Sequence, residues 1–395
     1  MHKALLYLFC TIMVVGCCEL AYGQGISTDN LDGRQNAINT AVPFLRISPD
    51  ARSGSMGDAG IALSPDANAV YWNLAKLPFA KNDAGASVTY TPWLTDLVND
   101  VFLAYLSGYK QLDDMQAVGA SLRYFDLGNV QFTNILGQPQ GNFHPREFSF
   151  DMGYARKLSD NWSMGVALRY IYSNLAGGSS QGTTTFKAGQ AVAGDISGFY
   201  TSETDYTGGQ SGTWNFGLTI TNIGTKISYS DNGQFKNFIP TNLGIGGAYT
   251  EQFDEYNKIT FEIDINKLLV PTPDTGMLDA DGNPAYLDQS VVSGIFHSFT
   301  DAPGGFHEEI NELMYSAGVE YWYNNLFAVR AGYFNENKHK GDRKYFTLGL
   351  GLKYNSLGIN FSYLVPSGSG VQRNPLSNTL RFSLLFDLGK SNNQN

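Results

Sequence analysis

The sequence predicts an all-β fold: a transmembrane antiparallel β-barrel of about fourteen strands, with a short N-terminal plug-like segment. Three observations carry that expectation. Apolar and polar residues alternate in runs about ten residues long, as many as a tilted strand needs to cross a bilayer. Short turn-like links alternate with long loops, the pattern of periplasmic turns and external loops in bacterial barrels. An export leader opens the chain, and no later stretch holds about eighteen consecutive apolar residues, so strands and not helices must do the crossing.

The leader is residues 1–23. His2 and Lys3 precede an apolar core over 4–15, and Ala21-Tyr22-Gly23 supplies a small-x-small cleavage site, with Gln24 as the mature start. All three cysteines, Cys10, Cys17 and Cys18, lie within it, so the mature chain has no disulfide framework and no thiol chemistry. Val14-Val15-Gly16-Cys17 also resembles a lipoprotein box, which would place a lipid on Cys17.

Residues 24–85 have a different texture and form the expected periplasmic or plug segment. After a polar, mobile stretch over 24–40 come runs rich in Ala, Gly and Asp, with helix-start signals at Asp50 and at Ser64-Pro65. The segment is too short and too polar for a core of its own, so it belongs inside the barrel that follows.

The barrel is expected over 86–390, with a periplasmic tail at 391–395. In Trp214, Phe216, Leu218 and Ile220 the apolar side chains alternate with Asn215, Gly217 and Thr219. Strands read in this way fall near 86–91, 101–109, 116–125, 147–156, 162–172, 212–222, 242–250, 257–266, 313–323, 326–334, 344–354, 357–365 and 378–388. A weaker run at 225–230 completes an even count. Asn324-Asn325 and Asn355-Ser356 are two-residue links of turn-forming type, and long loops are expected near 126–146, 173–211, 267–312 and 366–377.

On the polar face stand Arg123, Asp151, Arg169, Glu262, Asp264, Glu320, Arg330, Lys353, Arg381 and Asp387. Facing lipid, an Arg or Lys at mid-bilayer costs roughly 2–4 kcal/mol, so these residues should point into the lumen and pair there. Tyr170, Tyr172, Tyr321, Trp322, Tyr323, Tyr354 and Tyr363 sit near strand ends and suit an interfacial girdle. The net charge of −10 argues against nucleic acid as a partner.

No constellation for chemistry emerges, so no catalytic, cofactor or metal residue is expected. His144, His297, His307 and His339 all fall in loops and none has metal-ligand spacing. Asp279-Ala280-Asp281-Gly282-Asn283 has its glycine fourth where a calcium loop needs it sixth. Gly368-Ser369-Gly370 reads as a flexible loop, not a nucleophile turn.

The run from Phe44 to Leu77 resembles the N-terminal signature of the PorV family, within the wider FadL-like group of barrels. The resemblance extends over nearly the whole mature chain, including the closing run from Leu380 to Leu388. Where the wider group often carries Asn-Pro-Ala, this chain has Asn73-Leu74-Ala75. The resemblance implies a multi-pass barrel of the Gram-negative outer membrane, in contact with its lipid and lipopolysaccharide. It implies an outer-membrane component of the type IX secretion system, a carrier and not an enzyme. Its partners would be the translocon barrel, a sortase-like PorU-type surface protein, and secreted cargo bound through its C-terminal signal domain. External loops 173–211 and 267–312 would then be the cargo-binding parts. The second carries the apolar runs Leu268-Leu269-Val270-Pro271 and Val291-Val292-Ser293-Gly294-Ile295-Phe296, which either dock a partner or fold back over the barrel mouth. The alternative is a FadL-type channel for uptake of hydrophobic small molecules, which needs an apolar pocket continuous with an opening.

Overall fold

Fourteen antiparallel strands close on themselves in strict sequence order. The computed structural model describes residues 37–389, apart from 95–97, 134–135, 176, 178–179, 182–183, 207–208, 232–235, 274–283 and 366–377. The leader, Cys17, the first part of the polar stretch, Asp279–Asn283, Gly368–Gly370 and the terminal tail lie outside the described residues.

The barrel strands are β1 (Ala84–Pro92), β2 (Phe102–Asp113), β3 (Gln116–Asp126), β4 (Arg146–Lys157), β5 (Trp162–Asn174), β6 (Gly189–Asp205) and β7 (Ser211–Gly224). The second half is β8 (Asn242–Gln252), β9 (Asn257–Leu268), β10 (Met314–Tyr323), β11 (Phe327–Asn335), β12 (Lys344–Tyr354), β13 (Leu357–Val365) and β14 (Leu380–Leu388). β14 pairs back onto β1, with Ala84 opposite Leu388, so the barrel wall itself has no free edge.

Why these runs make a wall and not a sandwich is visible in their burial. On β7 the outward set holds Trp214, Phe216 and Leu218, all exposed, while Asn215 and Thr219 are buried. Greasy side chains outside and polar ones inside is the inverse of a water-soluble fold, and lipid is the solvent that makes it stable. The links β2–β3, β4–β5, β6–β7, β8–β9, β10–β11 and β12–β13 are short, and Asn324, Asn325 and Asn355 adopt positive φ in them. The remaining links are longer, and both ends of the barrel leave beside the short turns, which marks that side as periplasmic.

Two sequence-based assignments change. The run at 225–230 is not a wall strand. Ile227–Ser228 pairs only with Lys236–Asn237, in a small hairpin above the mouth. The fourteenth strand is instead β6, inside the expected loop 173–211. Its outward positions include Gly194 and Gly198, and its inward ones include Ala191, Ala193 and Phe199, so neither face stands out as apolar. The inward apolar residues are there because Ala191 and Ala193 pack against Val42, Phe44 and Leu45 of the plug.

The N-terminal segment runs down the lumen. Pro43–Arg46 lies at the external end, against Val101, Leu103, Phe125 and Ile171, and the Ala41 amide donates to the Phe238 carbonyl of an external loop. Two short helices follow, α1 (Ala51–Gly54) and α2 (Ala69–Trp72), then a 3-10 turn at Leu74–Phe79 that reaches the periplasmic end near Tyr109, Ala117 and Ala155. Asp50 caps α1, accepting from the Ser53 amide at 2.9 Å. Ser64-Pro65 starts no helix, because the Ser64 carbonyl and hydroxyl both receive hydrogen bonds from Arg52.

Candidate functional site

The plug is held by charges on the wall. Arg52 reaches Glu320 of β10 through two nitrogens, at 3.0 and 2.9 Å, and Glu320 also accepts from Arg330 of β11 at 2.6 Å. Asp66 adds a further carboxylate to Arg52 at 3.1 Å. On β9, Asp264 accepts the Gly60 and Ile61 amides at 2.7 and 3.0 Å, and Glu262 accepts those of Ala62 and Leu63 at 2.7 and 3.0 Å. Four consecutive plug amides with no helix or strand partner are thereby satisfied by two wall carboxylates. Lys76 donates to the Gly60 carbonyl at 2.6 Å beside the same two carboxylates.

Toward the external end Arg123 donates to the carbonyls of Phe44 and Leu45 at 3.0 and 2.8 Å and lies 4.3 Å from the centre of the Tyr71 ring. It thus ties two carbonyls of Pro43–Arg46 to the wall and holds Tyr71 of α2 by a cation–π contact. Arg169 joins Asp151 and Asp195, and Asn222 beside it has φ +59°, at a bulge where β7 carries an extra residue against β6. Asn73 accepts from the Ala75 amide at 3.1 Å, and Leu74 packs where Gly119 and Gly153 leave room in the wall.

Close approach is built from glycine. A Cβ on Gly332 would lie 2.0 Å from the Gly57 nitrogen, so no other residue fits against the plug there. The cavity left between plug and wall in the external half has a volume of about 100 Å³ and a mixed lining, with Arg46, Asp58, Asn222 and Asn266 beside Ile61, Trp72, Met314 and Phe334. That is room for a few waters.

Of the ten polar-face residues read from the sequence, eight are buried in the lumen. Lys353 and Asp387 are half-buried near the periplasmic end and pair there at 2.6 Å. Most of the girdle tyrosines point outward, but Trp322 does not. It shares the inward parity of Glu320 and lies beneath Arg330, 5.4 Å from its guanidinium carbon. The plug residues Arg52 and Lys76, which carry much of the lock, were not singled out by sequence. Their only signal is a basic side chain within an Ala- and Gly-rich segment.

Outside the lumen the prominent feature is the connection between β9 and β10, residues 269–313. It begins buried: Leu269 and Val270 are covered, and Lys267 holds Glu309 and Glu312 at 3.0 and 2.5 Å. Lys340 holds Glu308 and Glu312 from the β11–β12 loop, at 2.6 and 3.0 Å. Two helices then ride above this anchor, α3 (Val291–His297), capped by Ser290, and α4 (Phe306–Asn311). On α3 Val292 and Phe296 are 63% and 72% exposed, and on α4 Phe306 and Ile310 are 80% and 43% exposed. Each pair is four residues apart and so lies on one helix face. The first apolar run folds back, and the second presents Val292 and Phe296 outward. His144, His297, His307 and His339 lie outside the barrel strands, and no group of metal-ligating side chains occurs among the described residues.

A closed fourteen-stranded wall with a lumen-filling N-terminal segment defines a plugged outer-membrane barrel of a Gram-negative cell. The family described as type IX secretion system protein PorV matches residues 30–275, and the chain belongs to that family. It is therefore an outer-membrane component of the type IX system, in a family of a non-catalytic kind. Among solved structures the chain is similar to the Ralstonia pickettii toluene transporter TbuX, at 12% identity and a TM-score of 0.48, over 85% of this chain and 97% of that one. It is also similar to the P. putida toluene transporter TodX, at 13% identity and a TM-score of 0.45, over 86% and 99%. For a Pseudomonas aeruginosa FadL homologue the values are 11% and 0.39, over 89% and 99%. No curated protein matches the chain.

Proposed function

We propose that this barrel is a carrier of secreted proteins at the cell surface. It takes cargo by the C-terminal signal domain as the cargo leaves the type IX translocon barrel. It then passes the cargo to a sortase-like PorU-type protein, where the signal is removed and the cargo is joined to lipopolysaccharide. Family membership supports the system, and one observation supports the carrier role: the strap at 269–313 is fixed at its base by buried ion pairs, yet presents two apolar helix faces to the outside. Exposed apolar side chains gathered on one anchored element are the mark of an interaction surface. The uptake alternative needs an apolar path through the lumen, whereas ion pairs and amide–carboxylate bonds tie the middle of the plug to the wall across the described lumen.

The test is capture of a secreted protein bearing the C-terminal signal by the purified barrel, in detergent. The wild type should retain it, and the double substitution Val292→Asp, Phe296→Asp should lower retention about tenfold or more, as expected for losing a central apolar anchor. If the wild-type barrel retains no such cargo, the carrier role fails. If the double variant retains it fully, the strap is not the docking element.

A further inference from the structure

The periplasmic end of the barrel holds a cavity of about 610 Å³ beneath the plug, a volume within the range of small-molecule sites. Five cationic side chains line it: Arg52, Lys81, Lys258, Arg330 and Lys353. Against them stand Asp66 and Asp387 in the lining, with Glu320 behind, shared by the two arginines. That leaves an excess of two positive charges in a chain whose net charge is −10. Lys353 is spoken for by Asp387, and Arg52 by Glu320 and Asp66. Lys258 is not: it donates to the Asn325 side chain at 3.1 Å, and no carboxylate lies within ion-pair distance of it or of Lys81 among the described residues. Arg330, fully buried, keeps Nη2 without a hydrogen-bond partner after Glu320 and Asn360 are served. The cluster therefore has charge and donors to spare, where a structural ion-pair network would be balanced.

The rest of the lining says what else a ligand would carry. Trp322 turns inward between Lys258 and Arg330, and Phe79, Tyr109 and Leu385 add apolar surface. At the rim the turn amides of Asn324, Asn325 and Asn355 supply neutral hydrogen-bonding groups. The geometry points to a ligand site facing the periplasm, for a soluble molecule that joins a phosphate or carboxylate to an aromatic or apolar part. Lysine ammoniums and the arginine bind the anion, and Trp322 takes the ring. The plug above closes the site, so the ligand enters and leaves on the periplasmic side and is not carried across.

Calorimetry on the full-length barrel in non-ionic detergent, at low ionic strength, tests this with three probes: inorganic phosphate, phenyl phosphate and phenol. Phenyl phosphate should bind with a Kd of about 1 mM or tighter, inorganic phosphate more weakly, and phenol least. Lys258→Gln combined with Lys81→Gln should weaken phenyl phosphate about tenfold, the scale of losing a charge-assisted contact. Both lysines are at least partly exposed, so the barrel should still shift on a gel with heating as the wild type does. Lys226→Gln, at the opposite mouth, should bind as the wild type. Trp322→Leu should narrow the gap between phenyl phosphate and inorganic phosphate. Absence of binding by any probe overturns the site. So does equal binding by wild type and the folded double-lysine variant, or phenol binding as tightly as phenyl phosphate.

Discussion

The lumen and the external strap use the same residue types in opposite ways. Around the middle of the plug, charges are buried and paired: Glu320 sits between two arginines, and wall carboxylates hold backbone amides of the plug. In the strap, charges hold only the base, where Lys267 and Lys340 meet Glu309 and Glu312, while the apolar side chains above are left uncovered. Buried ion pairs add little net stability over an apolar core, but they penalise every arrangement that breaks them. Exposed apolar faces do the reverse, costing little until something covers them. One region is thus fixed in a single arrangement, and the other is left open to a partner.

The sharpest way to break this contrast is to unmatch the lumen. Glu320→Ala leaves Arg52 and Arg330 facing each other in a buried site, and a broken buried pair of this kind costs about 3–5 kcal/mol. Denaturant unfolding of the barrel in detergent should show that loss, and single-channel recordings should show plug fluctuations that the wild type lacks. A wild-type stability would mean that the plug is not held by these charges.

Close packing gives a smaller effect. Gly332→Ala sets a methyl against the Gly57 backbone and should cost about 1–3 kcal/mol through overpacking. Gly198→Ala, on the outward face with nothing within 4 Å, should stay within about 0.5 kcal/mol of wild type. Equal effects at the two sites would show that the plug yields readily.

What was legible in the sequence follows the same division. Strands such as β7 and β12 announced themselves because their outward positions are uniformly large and apolar. β6 did not, since glycines at 194 and 198 thin its outward face and the plug demands Ala191 and Ala193 inside. The strand count survived because a spurious strand at 225–230 stood in for the missing one. Trp322 was misread by its neighbours Tyr321 and Tyr323, although parity with Glu320 already placed it inside. The lumen-facing charges could be named from alternation alone. Their partners could not, because Arg52 and Glu320 lie 268 residues apart and only the closed barrel brings them together. In the strap, the apolar runs were visible, but which one turns outward depends on the anchoring lysines.

The strap should answer to substitution in the opposite sense from the lumen. Phe306→Ser with Ile310→Ser removes apolar surface already in water, so unfolding should move by no more than about 0.5 kcal/mol. Cargo retention should nevertheless fall. A large loss of stability would mean that these side chains are covered in the membrane-embedded protein.

The smallest expected effect is a pH dependence at the base of the strap. Asp301 accepts the Thr272 amide and hydroxyl at 3.0 and 3.1 Å, and burial raises its carboxyl above the ordinary value. The Thr272 bonds oppose that shift, and the charges of Glu309 and Glu312 add to it. A carboxyl that is harder to ionise in the folded strap binds more protons there than in the released one. The strap is then held most firmly below the ordinary aspartate pKa and loosens as pH rises through the raised value. The ion pairs of Lys267 and Lys340 with Glu309 and Glu312 stand beside it at the base of the strap. Hydrogen exchange over residues 284–313 should therefore be slower at about pH 4 than at about pH 7 after correction for the intrinsic rate, and Asp301→Asn should flatten the difference. An unchanged profile in that variant would place the pH response elsewhere in the loop.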